Sequence, residues 1–152
     1  MTSAEIGEWS RDICERLRIP QPKKLHTIGR LGELLFLSYL HSQGGQFRAH
    51  CLEESTHLHD FTWGPLRIEV KSSVINKRNK YTLTIERNQG KYDMLYMILI
   101  HKDLSYEIRA AIREEVSHLR AIGGLQRRFD RFTLVRRGGR WQDYPIFHSV
   151  TL

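Results

Sequence analysis

Residues 60–71 read DFTWGPLRIEVK, in which two short apolar runs flank the pair Gly64-Pro65. Glycine suits the positive φ of the first loop position in a type II′ turn, and the proline ring supplies the negative φ of the second. A two-residue loop at this pair fixes the register of a hairpin and places Asp60 directly opposite Glu69. The stretch therefore predicts a β-hairpin that carries two carboxylates as cross-strand neighbours.

The two faces of this hairpin differ in character, because side chains alternate along a strand. One face is apolar and comprises Phe61, Trp63, Leu66, Ile68 and Val70. The other face is polar and comprises Asp60, Thr62, Arg67, Glu69 and Lys71. We expect the first face to join the core and the second to form a site.

The polar face has the groups that phosphodiester hydrolysis requires. A hard divalent ion such as Mg²⁺ polarises the phosphoryl oxygens and lowers the pKa of a bound water, and it prefers carboxylate oxygens such as those of Asp60 and Glu69. The carbonyl of Val70 is a further candidate ligand. Lys71 lies on the same face, where it can orient or deprotonate the attacking water and neutralise charge on the phosphate.

These residues resemble the motif of the PD-(D/E)xK nuclease superfamily, which includes type II restriction enzymes, Holliday junction resolvases and one class of group I intron homing endonucleases. The motif maps onto Asp60 and the tripeptide 69–71, with His59 in place of the usual proline. The family commonly carries an acidic residue on the preceding helix, where this chain has Glu33. The resemblance covers about residues 28–100.

The resemblance implies a set of site residues and a cofactor. The catalytic residues would be Glu33, Asp60, Glu69 and Lys71. The ligands of Mg²⁺, for which Mn²⁺ would substitute, would be Asp60, Glu69, Val70 and Glu33. Gln89 is a weaker candidate by the same resemblance, since some relatives place a glutamine near the site. Ser72 and His59 are weaker candidates because they adjoin the motif.

The remaining pattern predicts an α/β fold with a restriction endonuclease-like core, in which helices flank a mixed central β-sheet. Helices are predicted at about 3–17 and 25–41, and strands near 46–51, 81–85 and 94–100. The last of these is apolar throughout, which is typical of a strand covered on both faces. We expect one nuclease domain over 1–152, with a catalytic core at about 25–101 and a basic segment at about 105–152 that contacts DNA or mediates oligomerisation.

The net charge of +7 is unevenly distributed along the chain. Residues 1–76 hold nine Lys and Arg against nine Asp and Glu, whereas residues 77–152 hold fifteen against eight. Arginine outnumbers lysine seventeen to seven, and its planar guanidinium suits phosphate and guanine edges. The predicted partner is double-stranded DNA, contacted by Lys77, Arg78, Lys80, Arg127, Arg128, Arg131, Arg136, Arg137 and Arg140. The alternative for the later arginines is a basic subunit interface.

The predicted function is Mg²⁺-dependent endonucleolytic cleavage of duplex DNA, with sequence specificity of the homing or restriction type. A structure-specific junction resolvase and a non-catalytic DNA-binding protein with a relic fold are the alternatives. A small subunit with one site cuts both strands most simply as a homodimer or homotetramer. We expect a cytoplasmic protein without a membrane segment, in which Cys14 and Cys51 are ordinary buried thiols. A zinc site at Cys51, His57 and His59 is not favoured, because no further ligand pair completes it.

Overall fold

The computed structural model describes residues 1–53, 57–75, 82–86, 92–114, 116, 125–128, 131–135 and 148–152. The elements are, in chain order, α1 (Ser3–Leu17), α2 (Ile28–Gln43), β1 (Phe47–Ala49), α3 (His50–Glu53), β2 (Phe61–Trp63), β3 (Leu66–Val74), β4 (Thr82–Glu86), β5 (Met94–Ile100), β6 (Tyr106–Ile112), β7 (Leu125–Arg128), β8 (Arg131–Val135) and β9 (His148–Val150). The fold class is therefore α/β, as predicted. No helix in the described ranges is long and apolar enough to span a bilayer.

Capping side chains set the starts of the two long helices. The Thr2 hydroxyl accepts from the Glu5 N–H at 3.1 Å, and the Glu5 carboxylate accepts from the Thr2 N–H at 2.7 Å, which is a capping box. This confirms the predicted start of α1. Helix α2 begins at Ile28 rather than at residue 25, because the Thr27 hydroxyl caps it by accepting from the Arg30 N–H at 3.2 Å.

The central sheet is mixed and has the strand order β1-β2-β3-β5-β6-β9. Strands β3 and β5 run parallel, whereas every other neighbouring pair in this sheet is antiparallel. Strand β5 lies between β3 and β6, and six of its seven residues are buried. The prediction that this apolar run is a central strand covered on both faces is confirmed.

The hairpin of β2 and β3 has the predicted register. Trp63 pairs with Leu66 and Phe61 pairs with Ile68, while Gly64 adopts a φ of 56° at the turn. Only a residue that tolerates positive φ fits this turn without strain. The apolar face of the hairpin packs on α2, and its side chains Phe61, Ile68 and Val70 join the main core cluster.

Close contact between α2 and β3 depends on Gly32. A Cβ atom at this position would lie 1.6 Å from Ser72 Oγ and 2.5 Å from Ser72 Cβ, which no packed structure allows. The missing side chain therefore lets the helix lie directly on the strand. This contact also brings the next residue of the helix, Glu33, close to β3.

Two parts of the architecture differ from the prediction. The strand expected near 46–51 ends at Ala49, and residues 50–53 form the single helical turn α3, in which the Cys51 N–H donates to the Asp60 carbonyl at 3.1 Å. Strand β4 exists as predicted but belongs to a second, antiparallel sheet of order β4-β8-β7. Strand β8 forms a hairpin with β7, whereas the tip expected at 136–140 lies outside the described residues.

Candidate active site

Asp60 lies where the hairpin opens, immediately before β2. Its N–H donates to the Ile68 carbonyl at 3.0 Å, which continues the hairpin ladder by one residue. Its Oδ2 accepts from the Val70 N–H at 2.8 Å, and its Oδ1 lies 2.8 Å from His57 Nε2. Only 7% of the residue is exposed. The carboxylate is thus fixed by two partners against the edge of β3.

Glu69 and Lys71 extend from the face of β3 that is turned away from α2, and they lie beside Asp60. Glu69 is 3% exposed, and its Oε1 lies 3.6 Å from Lys71 Nζ. Burial raises the pKa of Glu69 most strongly, and the charge of Asp60 raises it further, while Lys71 lowers it. The Glu69 carboxyl also hydrogen-bonds to Asp60. Two buried carboxyl groups and one partly exposed ammonium group therefore lie together beside β3.

Glu33 approaches the same edge from α2. Arg30 Nη1 lies 3.6 Å from Glu33 Oε1, one turn earlier on the helix. Burial raises the pKa of Glu33 to about 7, and the nearby Asp60 carboxylate adds to the rise. An ionised carboxylate here lacks solvation and has an anionic neighbour, so a bound cation would stabilise it.

Cys51 is a neighbour of these carboxylates that sequence reasoning did not assign to the site. Its thiol hydrogen-bonds to Glu33, and one ligand atom from each of Glu33, Cys51 and Asp60 lies within 4.8 Å of the other two. Burial, with the carboxylates around it, raises the pKa of the thiol. Both cysteines are free thiols, as expected. Cys51 packs in the core, and its sulfur also lies beside the carboxylates of the site.

His57 is the second residue that the sequence left unassigned. It was considered only as a zinc ligand with Cys51 and His59, whereas its ring contacts Asp60. His59 is turned away from that carboxylate: its Nε2 lies 3.0 Å from Thr62 Oγ1, and its ring packs against His50 with centroids 5.0 Å apart. The three-residue spacing between His57 and Asp60 is the only sequence signal that could have indicated the contact.

Three side chains of the site lie close enough together to hold a metal ion. One ligand atom from each of Glu33, Cys51 and Asp60 lies within 4.8 Å of the other two, and the Glu69 carboxyl hydrogen-bonds to Asp60. Carboxylate oxygens are the ligands that Mg²⁺ prefers. The N–H and C=O groups of one strand residue point to the same side of the strand. Because the Val70 N–H donates to Asp60, the Val70 carbonyl is also on the side of β3 where Asp60 lies. Burial raises the pKa values of Glu33 and Glu69, so a cation bound beside them would favour their ionised forms.

The remaining predicted site residues lie on the α2 side of β3, in the second sheet or outside the described residues. Ser72 is part of β3 and packs against Gly32 on the helix side of the sheet, opposite Glu69 and Lys71. Arg127 and Arg128 lie in β7, and Arg131 lies in β8. Gln89 and the basic residues Lys77, Arg78, Lys80, Arg136, Arg137 and Arg140 lie outside the described residues.

No protein-family model matches the chain, and no curated protein resembles it significantly. The PD-(D/E)xK resemblance therefore stays an expectation that rests on Asp60, Glu69 and Lys71. What the geometry adds is that these three side chains meet beside β3, where this strand extends past the start of β2, and that Glu33 lies close to Asp60.

Proposed function

We propose that this protein is a Mg²⁺-dependent endodeoxyribonuclease of the PD-(D/E)xK type that cuts duplex DNA at specific sequences. The observation that carries the proposal is the contact of the buried Glu69 with both Asp60 and Lys71. A structural hairpin would have no need to bury two carboxyl groups side by side, because burial of like charges is costly. A metal centre for hydrolysis needs this arrangement.

The roles of the residues follow from their positions. Asp60, Glu69, Glu33 and the Val70 carbonyl would hold the ion, which supplies Lewis-acid polarisation of the phosphate and activation of a water. The hydrogen bonds from Val70 N–H and His57 orient Asp60 before any ion arrives. Such preorganisation reduces the cost of ordering the ligands.

Lys71 is the group best placed to act on the reacting atoms. Its ammonium is held 3.6 Å from Glu69 Oε1, so it sits beside the ligands without being one. It can orient the attacking water and neutralise the charge that develops on the phosphate. Loss of this amine should therefore reduce the rate much more than it reduces metal binding.

Duplex DNA is the substrate that the charge distribution favours. The chain carries a net charge of +7, with the excess after residue 76. Strands β7 and β8 of the second sheet contain three of these basic residues, Arg127, Arg128 and Arg131. We also propose that the protein is a homodimer or homotetramer, because each subunit offers one site for a two-stranded substrate. The proposed location is the cytoplasm.

The proposal is tested by incubating the protein with Mg²⁺ and either a complex linear DNA library or a synthetic four-way junction. Asp60→Ala and Glu69→Ala variants should abolish cleavage and weaken metal binding while DNA binding largely survives. Discrete cuts in the library would identify a sequence-reading endonuclease, whereas cutting of the junction alone would identify a resolvase. Full activity in either variant would show that the site lies elsewhere.

A further inference from the structure

A groove of about 800 Å³ opens onto the candidate active site from the amino-terminal side of the protein. It runs between the segment 21–30 on one side and residues 51–53 and His57 on the other. Three of its lining residues, Glu33, Cys51 and His57, are also neighbours of Asp60. Whatever occupies the groove therefore reaches the carboxylates directly.

The groove lining has an excess of positive charge, with Lys23, Lys24 and Arg30 against Glu33 and Glu53. Its acidic residues are already compensated, since Glu53 pairs with Arg48 at 3.0 Å and Glu33 with Arg30 at 3.6 Å. Lys23 and Lys24 line the groove, are exposed, and form no ion pair with any residue that the structure describes. Two lysines thus remain to attract an anion beside the site.

The backbone around these lysines is held in an uncommon conformation. Lys24 has a φ of 61°, in the left-handed region that a lysine seldom adopts. The Lys24 carbonyl accepts from the Thr27 N–H at 3.1 Å and from the Thr27 hydroxyl at 2.9 Å. The Lys23 carbonyl accepts from Arg30 Nε at 3.0 Å. Backbone conformations of this kind persist where surrounding bonds impose them, and they cluster at ligand-binding sites.

Arg30 connects this turn to the site. Besides its bond to the Lys23 carbonyl, its Nη1 donates to the Cys51 carbonyl at 2.8 Å and pairs with Glu33. One guanidinium thus fixes the lysine turn, α3 and the carboxylate of α2 relative to one another. The two lysines are therefore held at a set position with respect to Asp60.

We propose that this groove binds the sugar–phosphate backbone of the DNA strand beside the cut, with Lys23 and Lys24 contacting two phosphates. The proposal rests on the proposed nuclease function, because only a polyanion that continues past the reacting phosphate needs cations on this side. It adds a strand-binding surface in the amino-terminal half to the basic residues predicted after residue 76. Lys23 and Lys24 are binding residues, since they lie outside the carboxylate cluster.

The test is the salt dependence of DNA binding by a Lys23→Gln/Lys24→Asn variant. Asparagine tolerates positive φ, so Lys24→Asn removes the charge without forcing the turn to change. The matched control is Arg18→Asn. Arg18 is also an exposed cation with a left-handed backbone conformation, at a φ of 56°, but it does not line the groove. Binding is measured in a Lys71→Ala background with Mg²⁺, on a mixed-sequence duplex that wild-type protein is first shown to cleave.

The salt slope is the slope of the logarithm of the DNA-binding constant against the logarithm of the salt concentration, and loss of two phosphate contacts should lower its magnitude by about 1.8. Between about 50 and 200 mM salt, the parent protein should therefore lose about 12-fold more affinity than the double variant. The Arg18→Asn control should keep the parent slope and the parent melting temperature. If wild-type protein cleaves DNA but the double variant keeps the full slope, the groove is not the strand-binding surface, although the nuclease function stands. If wild-type protein neither cleaves nor binds DNA, both proposals fail.

Discussion

Replacing Glu33 with glutamine should stabilise the metal-free protein at alkaline pH. The pKa of Glu33 is raised by burial from 4.5 to about 7, so between these values the folded state binds more protons than the unfolded state. Stability of the wild type must then fall as pH rises through this window. A shift of this size is worth about 3 kcal/mol at pH 8, at about 1.4 kcal/mol per pKa unit. Glutamine cannot ionise, so the variant escapes this loss.

Added metal should offset most of the advantage of the variant. An ion that binds only the folded protein stabilises it by about 2.7 kcal/mol when its concentration is 100 times Kd. Wild-type protein has the full ligand set and should gain this amount, whereas the Glu33→Gln variant has lost one carboxylate and should gain much less. The two proteins should therefore differ most in EDTA at pH 8 and approach each other in saturating Mg²⁺.

The assay is urea unfolding followed by tryptophan fluorescence, at pH 4.5 and pH 8, with EDTA or Mg²⁺. Glu8→Gln is the control, because Glu8 is an exposed carboxylate on α1. The control should show neither the pH-dependent gain nor the altered response to metal. The reasoning is refuted if Glu33→Gln is less stable than wild type in EDTA at pH 8, or if both gain equally from Mg²⁺.

Three further predictions concern packing, an ion pair and the basic segment. Gly32→Ala should destabilise the protein by about 1 to 3 kcal/mol through overpacking against Ser72, whereas Gly29→Ala, with open space around it, should stabilise it by up to about 1 kcal/mol in the same denaturant series. Asp93→Asn should cost about 1 kcal/mol at pH 7, because the Asp93 carboxylate accepts from Arg67 N, Nε and Nη2 at 2.8, 3.1 and 2.9 Å. The hydrogen bonds from the Arg67 side chain, and then the one from its backbone N–H, lower the Asp93 pKa to about 2. The difference in unfolding free energy between wild type and Asp93→Asn should therefore shrink as pH falls from 3.8 towards 2. A difference that stays constant over this range would contradict the prediction. Replacing Arg136, Arg137 and Arg140 with alanine should lower the salt slope of DNA binding by about 2.7, and an unchanged slope would remove them from the interface.

Local signals in the sequence were sufficient to predict the hairpin and its carboxylates. The Gly64-Pro65 pair fixes the turn, and a turn of known length fixes the register, so the pairing of Phe61 with Ile68 required no long-range information. The capping box of Thr2 and Glu5 is likewise complete within four residues. These features were predictable because their physical causes are contiguous in the chain.

The neighbours of the carboxylates were not predictable in the same way. Cys51 reaches Glu33 because the chain leaves β1 for one turn of helix, and that turn is stabilised by a bond from Cys51 to the Asp60 carbonyl. The contact joins residues that are 18 positions apart, and no periodic pattern in 46–53 indicates it. Equally, the separate sheet that contains β4 depends on its pairing with β8, almost 50 residues later.

The central claim is tested most directly by the rate of Mg²⁺-dependent cleavage of a linear DNA library by wild-type protein and by Lys71→Ala. The control is Lys102→Ala, which removes an exposed lysine from the turn between β5 and β6. We expect cleavage by wild type and by the control, and a loss of at least about 100-fold in Lys71→Ala, the range typical of a general acid–base group. Equal cleavage by Lys71→Ala and wild type, or no cleavage by wild-type protein, would contradict the assignment of Asp60, Glu69 and Lys71 as a nuclease centre.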